Sequence, residues 1–408
     1  MKLLILTQYF PPEVGAPQNR LFELAVRLKR DHAVDITVLT AMPNYPEMVI
    51  KEQYKGLEYH YEEIEGLKVH RSSIFVTKSK GIVKRLQNYF SFVWSSFKVG
   101  RKKLDSNYDF IFCESPPLFL GISAYFLCKN KNAKLIFNVS DLWPESAEKL
   151  GLVTNKMMLG AATKLEEFLY RKSALITGQT QGIVKDISTR FPKKKVYWLP
   201  NGVDLNLYNP EHVKSNWRKE NGFESNDLLL LYAGIIGHAQ GLELLLEAMN
   251  KIKHLPEVKM LILGSGPEKD KLLLLKEQLG TSNVIFLDLV TKVEMPGIIN
   301  AIDVAVVPLK KLDLFKGAIP SKIFENLAME KALLLGVDGE ARTLFIDEGK
   351  SGLYFEPENV NALVEQIESL NDQREMITTY GKNGRQYVAQ KFNRDNLAKG
   401  FFQALNDL

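Results

Sequence analysis

Residues Gly317–Leu334 read GAIPSKIFENLAMEKALL. Gly317, Pro320 and Ser321 form a loop, Lys322 stands in the first turn of the helix that follows, and Glu325 lies one turn on. The apolar run Ala332–Val337 comes next and reads as a buried strand. A helix start offers free N–H groups and partial positive charge, which favour a phosphate. Lys322 adds a full positive charge, and the Glu325 carboxylate is a good acceptor for ribose hydroxyls. Phosphate cation and ribose acceptor on one short helix point to a nucleotide-diphosphate ligand. The plainer alternative is a capped surface helix, and this stretch alone does not choose between them.

The same rhythm extends in both directions. Strands are predicted at Lys2–Thr7, Asp35–Thr40, Asp109–Glu114, Lys134–Val139, Ala174–Gly178 and Val196–Leu199. A second set falls at Leu228–Ala233, Lys259–Leu263, Val284–Leu287, Val304–Val307, Ala332–Val337 and Gly352–Phe355. Between them, segments such as Asn19–Lys29 and Lys156–Lys172 carry apolar residues at helical spacing. Unbroken apolar strands alternating with helices predict parallel sheets covered on both faces. The fold class is α/β, two doubly wound domains with ligands at the carboxyl ends of the strands. Leu199-Pro200-Asn201-Gly202 and the Asn209-Pro210 pair punctuate the chain strongly and mark the expected boundary.

At 408 residues the chain exceeds one typical core. Its 45% hydrophobic and 25% charged residues exclude a disordered chain, and a net charge of +5 does not by itself imply nucleic acid. Cys113 and Cys128 sit in apolar runs and read as buried free thiols. Met1–Thr7 is too short in apolar residues for a signal peptide, and no run approaches a spanning helix, Leu118–Cys128 being nearest. A cytoplasmic protein is expected.

Strand one leads into Tyr9–Arg20, where Gly15 and Ala16 allow close backbone approach to a ligand and Arg20 adds charge in the first helical turn. The pattern is not GxGxxG, so a dinucleotide cofactor is poorly supported. Gly234 follows strand Leu228–Ala233, and Gly264 and Gly266 follow Lys259–Leu263. Glycine-bearing strand ends spread over two α/β domains predict a ligand held in the cleft between them. His238 has no second His or Cys at ligand spacing, and no carboxylate cluster demands a divalent ion, so no metal and no cofactor are expected. Asp141 follows strand Lys134–Val139 and is placed either to orient sugar hydroxyls, as a base or charge stabiliser, or, like Ser140, to cap the next helix. Glu145 follows the same strand, and for it the structural role at the helix start is favoured.

Lys78–Lys103 reads KSKGIVKRLQNYFSFVWSSFKVGRKK and contains no acid. Ile82, Leu86, Tyr89, Phe90, Val93, Trp94 and Phe97 share one helical face, with Lys84, Arg85, Lys98, Arg101, Lys102 and Lys103 near the ends. Such a helix suits an anionic membrane surface or a lipid-linked substrate, with Lys84, Arg85, Trp94 and Arg101 as contacts. The alternative is a core helix with solvated basic ends.

FPPEVGAPQNR, SDLWPES, LPNGVD, YAGIIGHAQGL and IPSKIFENLAMEK, in this order across the whole chain, resemble family 4 glycosyltransferases. The likeness is to bacterial enzymes that assemble O-antigen, capsule or other surface polysaccharide, fucosamine transferases among them. The resemblance implies a GT-B fold, metal independence and retention of anomeric configuration. Residues 1–199 would form the acceptor domain, joined by a returning helix near residues 390–408, and residues 200–389 the nucleotide-sugar domain. It further implies that Glu325 binds the ribose hydroxyls, that Ser321 and Lys322 hold the diphosphate, and that Gly15 and Ala16 approach the phosphates. The acceptor would be a lipid-diphosphate-linked saccharide at the cytoplasmic membrane face.

Three positions depart from the family pattern. Its basic pair after the first donor-domain strand corresponds to Ile235 and Gln240, and the first Glu of its Glu-x7-Glu motif corresponds to Gly317. Diphosphate neutralisation then falls on Lys322, helped by Arg20 or Lys316. Two other readings stay open: a nucleotide-sugar epimerase on the same architecture, and a non-catalytic scaffold of a polysaccharide assembly complex. A nucleic-acid partner fits the short, strongly amphipathic basic stretch least.

Overall fold

A computed structural model of the chain describes residues 1–13, 15–79, 81–149, 151 and 153–408. Val14, Lys80 and the side chain of Ile82, which belong to stretches read above, lie outside the described residues. Contacts divide the chain into one unit of Met1–Asn201 with Arg394–Leu408 and a second of Gly202–Asn393.

The first unit runs β1 (Lys2–Leu6), α1 (Ala16–His32), β2 (Asp35–Ala41), β3 (Tyr59–Ile64), β4 (Leu67–Ser72), α2 (Ile82–Lys103), β5 (Phe110–Ser115), α3 (Leu120–Lys131), β6 (Lys134–Val139), α4 (Glu145–Lys149), α5 (Lys156–Lys172), β7 (Leu175–Gly178), α6 (Gln181–Arg190) and β8 (Val196–Trp198). Its sheet has the order β3-β4-β2-β1-β5-β6-β7-β8. In β1, Leu4 and Leu6 join Ile111, Cys113 and Phe137 in one core, while Leu3 and Ile5 join Phe110, Phe112 and Ile136 in the other. This alternation explains the unbroken apolar runs, because both faces of a parallel sheet are covered. Phe401 and Leu405 complete the second core, and Arg27 Nε donates to Asp395 at 2.7 Å. Both thiols are buried, and burial pushes Cys128 up to about 12.

Two features differ from the sequence reading. The hairpin β3–β4 was not expected; β3 is antiparallel to β4 at the sheet edge and turns at Glu65-Gly66, both at positive φ. Its Tyr-His-Tyr-Glu-Glu-Ile sequence alternates between exposed and half-buried positions, so it lacks the apolar run that marks an interior strand.

Helix α2 is the second. The buried side holds Asn88, Phe92, Ser95, Ser96 and Val99, whereas Phe90 and Trp94 point to solvent at 45% and 72% exposure. Ser95 Oγ lies 3.0 Å from Ser72 Oγ, Ser96 Oγ lies 2.9 Å from Ser123 Oγ, and Asn88 Nδ2 donates to the Phe75 carbonyl at 2.6 Å. Small residues permit this approach: a Cβ on Gly100 would meet Leu127 and Leu39. The expected single apolar face is therefore split, with Phe90 and Trp94 turned outward, Phe97 packed against the core and serines paired inward.

The second unit runs α7 (Trp217–Glu220), β9 (Leu228–Ala233), α8 (Glu243–Lys251), β10 (Val258–Leu263), α9 (Lys269–Leu279), β11 (Val284–Leu287), α10 (Met295–Ala301), β12 (Val304–Pro308), α11 (Lys322–Ala328), β13 (Ala332–Gly336), β14 (Gly352–Tyr354), α12 (Val360–Asp372) and α13 (Arg374–Lys391), and α14 (Arg394–Asn406) then packs on α1 in the first unit. The sheet order is β11-β10-β9-β12-β13-β14, with every pair parallel. The order reverses direction beside β9, the place where sheets of this kind take their ligands, beyond the strand ends. In the first unit the same reversal falls between β1 and β5.

Candidate functional site

In the second unit, the loop after β9 and the loop after β10 continue the strand ladder beyond the sheet. Gly234 N donates to the Leu263 carbonyl at 2.9 Å, and Ile236 N to that of Ser265 at 2.9 Å. Gly264 has φ of +151°, and a Cβ there would run into the Gly234 carbonyl oxygen. The loops close only because glycine stands at that crossing.

Helix α11 brings the sequence-predicted cation to this point. Ile323, Phe324, Leu327 and Ala328 bury one side of the helix, and Phe324 stacks edge-on against Phe345 at 5.4 Å. Lys322 and Glu325 therefore share the partly open side. The Lys322 ammonium lies 3.7 Å from the centre of the Tyr232 ring. It also sits where a Cβ on Gly234 would come within 2.7 Å of it. Although Lys322 keeps some exposed surface, burial of its ammonium pushes its pKa from 10.5 down to about 7, against the opposing pull of Glu325. Tyr232 is held in place by its hydroxyl, which donates to the Ile235 carbonyl at 2.6 Å. Lys322, Glu325, Gly234 and Gly264 are thus brought together at the reversal of the sheet, with Ser321 at the start of the helix.

Tyr232 was missed by sequence reasoning; the signal was a hydroxyl near the end of the apolar strand LLLLYA. Lys310 was missed as well. Its ammonium lies 3.1 Å from His238 Nε2, and its backbone N–H donates to the Ala239 carbonyl at 2.9 Å. It therefore supplies a cation beside the loop that carries Gln240. Lys316 is paired with Asp313 at 2.8 Å. Gly317 is exposed, and a Cβ there would meet nothing, so its lack of a side chain is not imposed by packing. Ile235 is 63% exposed.

In the first unit, Gly15 precedes α1 with extended backbone, and the Gln18 side chain occupies the space its Cβ would fill. Ala16 opens the helix. Arg20 is buried, and its Nη2 donates to Glu114 Oε1 at 2.6 Å and to Ser140 Oγ at 2.9 Å. Glu114 also accepts from Asn138 Nδ2 at 2.6 Å, and Thr177 Oγ1 donates to Asn138 Oδ1 at 2.6 Å. These donors surround the buried Glu114 carboxylate with hydrogen bonds. Arg20 is thus paired with Glu114 through Nη2, across the reversal between β1 and β5, while its Nε and Nη1 are buried without a hydrogen-bond partner among the described residues. Glu114 was not singled out from sequence, although a carboxylate ending the apolar strand FIFCE was a legible signal.

Ser140 joins this network. Its neighbour Asp141 is half-buried and accepts a hydrogen bond from the Ser146 hydroxyl. Glu145 is exposed and pairs with Lys149 at 2.6 Å. On α2, Lys84 and Arg101 are exposed, Arg85 is half-buried, and Lys84 Nζ lies 5.5 Å from the Phe75 ring centre. No described helix is long and apolar enough to cross a membrane.

Residues 213–387 match the family model described as Glycosyl transferases group 1, and this part of the chain is a glycosyltransferase group 1 domain. The Escherichia coli protein WcaI, provisionally named a colanic acid biosynthesis glycosyl transferase, is 25% identical over the whole of both chains. The O-antigen chain mannosyltransferase C of Escherichia coli is 24% identical over 61% of this chain and 65% of its own. Among solved structures, sucrose-phosphate synthase from Thermosynechococcus elongatus superposes with a TM-score of 0.77 at 16% identity, covering 100% of this chain and 98% of that one. Anabaena HepE, solved with UDP and glucose, gives 0.72 at 17% identity and covers both chains fully. The two Rossmann-like units are of the GT-B class.

Proposed function

For a chain whose residues 213–387 form a group 1 glycosyltransferase domain, we propose a retaining glycosyltransferase of bacterial surface-polysaccharide biosynthesis. It moves a sugar, hexosyl or N-acetylhexosaminyl, from a UDP-sugar to a saccharide carried on a lipid diphosphate at the inner face of the cytoplasmic membrane. The observation that carries this reading is the Lys322 ammonium held against Tyr232 and Gly234 with Glu325 one helical turn on. The names of WcaI and the O-antigen mannosyltransferase support the pathway class, and the UDP and glucose bound to HepE support the donor. The outward aromatics and acid-free basic run of α2 support a membrane-bound acceptor.

Chemically, the bond between the anomeric carbon and the β-phosphate oxygen breaks, and its electron pair goes to the phosphate. Lys322, the start of α11 and Lys310 answer that developing charge. The acceptor hydroxyl oxygen bonds to the anomeric carbon on the face the leaving group vacates, and its proton passes to the departing phosphate oxygen. No protein nucleophile is needed. Asp141 orients the reacting hydroxyl. The reaction runs without a divalent ion, so turnover in excess EDTA should equal turnover with magnesium; loss of activity in EDTA would remove that part of the reading.

The deciding experiment is a thermal-shift comparison of UDP, GDP, TDP, ADP and CMP on wild type, Lys322→Ala and Glu325→Ala. A ligand at a hundred times its dissociation constant contributes about 2.7 kcal/mol. Selective stabilisation by UDP, lost in both variants, supports the donor site. Stabilisation by no nucleotide would favour the scaffold reading.

A further inference from the structure

Helix α2 buries Phe92 and Val99 and hydrogen-bonds its serines to the core, while Val83, Phe90 and Trp94 stay exposed at 64%, 45% and 72%. The outward stripe does not end at the surface. Phe90 stacks on Phe119 at 4.9 Å, and Phe119 meets Trp143 edge-on at 5.5 Å. Trp143 lines a cavity of about 70 Å³ whose other walls include Leu86, Tyr89, Met158 and Leu159. Among the described residues that line it, Arg85 is the one that carries charge. An exposed aromatic path therefore leads into an apolar pocket with a single cation, on a stretch that holds no acid from Lys78 to Lys103.

We propose that this pocket takes a short hydrocarbon segment of the lipid that carries the acceptor, next to its phosphate, with Arg85 answering the phosphate charge. This rests on the lipid-linked acceptor proposed above and locates where the lipid is recognised. The chemistry is complementary on both counts. The walls offer mainly aliphatic and aromatic surface to a chain, and Arg85 offers a planar fork of donors to a phosphate. The cavity is large enough for the phosphate-proximal unit of a chain and far too small for a whole tail, so the remainder lies along Phe90 and Trp94.

The test is calorimetric titration of the full chain with monomeric farnesyl phosphate, beside farnesol, inorganic phosphate and dihexanoyl-phosphatidylglycerol. Farnesyl phosphate should bind saturably and the other ligands at least roughly tenfold more weakly, the order expected for losing about two buried methylene groups or the paired charge. Ala162→Phe, which fills the pocket, and Arg85→Gln should each weaken binding by a similar factor. A diazirine-bearing farnesyl phosphate should label the peptides containing Trp143 or Met158, a readout that does not depend on either variant folding. Unchanged affinity in both variants, or labelling elsewhere, overturns the proposal. Equal binding of the phosphatidylglycerol assigns the pocket to bilayer lipid and overturns the acceptor assignment. UDP stabilisation measured in the same preparation separates the two readings. Lost lipid binding with UDP binding intact removes the pocket alone, whereas equal turnover on a lipid-free saccharide removes the lipid-linked acceptor itself.

Discussion

The ammonium of Lys322 rests 3.7 Å from the centre of the Tyr232 ring, and the two residues come from elements on either side of the point where the second sheet reverses its order. A cation over an aromatic face is attracted to it, while removal from water opposes its charge. Here desolvation is the larger effect, since the pKa falls to about 7. In the proposed donor site, a bound diphosphate would favour the charged form of this lysine.

A pH dependence follows for nucleotide binding. Bound diphosphate favours charged Lys322, so above pH 7 binding must take up a proton. UDP affinity should fall as pH rises from 7, by up to about tenfold per pH unit, and Lys322→Met should flatten the profile. For folding alone the sign is opposite. Between about 7 and 10.5 the unfolded chain holds this proton more tightly than the folded one, so Lys322's contribution to stability improves with rising pH. Calorimetry in buffers of different ionisation enthalpy would count the proton, and none taken up at pH 8 would refute the assignment.

In the proposed donor site, Glu325 accepts from the ribose hydroxyls. Glu325→Ala should abolish discrimination between UDP and its 2′,3′-dideoxy analogue, a difference of about ten- to a hundredfold for hydrogen bonds to a charged acceptor. Equal affinities already in wild type would show that the carboxylate does something else.

The Arg20–Glu114 pair is buried on both sides, with side-chain exposures of 8% and 6%. Removing one partner strands the other charge, so Arg20→Ala or Glu114→Ala should each destabilise the chain by about 3–5 kcal/mol. The double variant should cost less than the sum of the singles. Urea unfolding measures all of these directly, and strict additivity would mean that the pair is not coupled.

Asp141 accepts from Ser146 and stands beside the Arg20 network. Asp141→Asn keeps the shape and removes the charge, so turnover should fall by about 10²–10³ while UDP stabilisation is unchanged, the scale of losing one preorganised electrostatic contact. Full turnover in that variant would return Asp141 to a purely structural role.

Much of the fold is legible in the local pattern. Leu228–Ala233 and Lys134–Val139 were read to the residue, because a strand buried on both faces is apolar at most of its positions. The hairpin β3–β4 was not, since an edge strand needs only one partly buried face and its alternation is weak. On α2 the shared face was legible but its direction was left open between a membrane surface and the core, and the structure turns Phe90 and Trp94 outward. Periodicity reports which residues share a face; it carries no information about which face meets the core when serines can pair there instead.

The sequence by itself determined the alternating α/β architecture, the glycine-bearing strand ends, and the pairing of Lys322 with Glu325, because each depends on residues within a few positions of one another. Only the tertiary structure decided that Tyr232 lies under Lys322, that Lys310 reaches the loop of Gln240, and that Arg20 is bound to Glu114, ninety-four residues away. Those contacts are made where parallel strands distant in the chain end side by side. Their energies come from burial and charge at that meeting point, which no local pattern encodes.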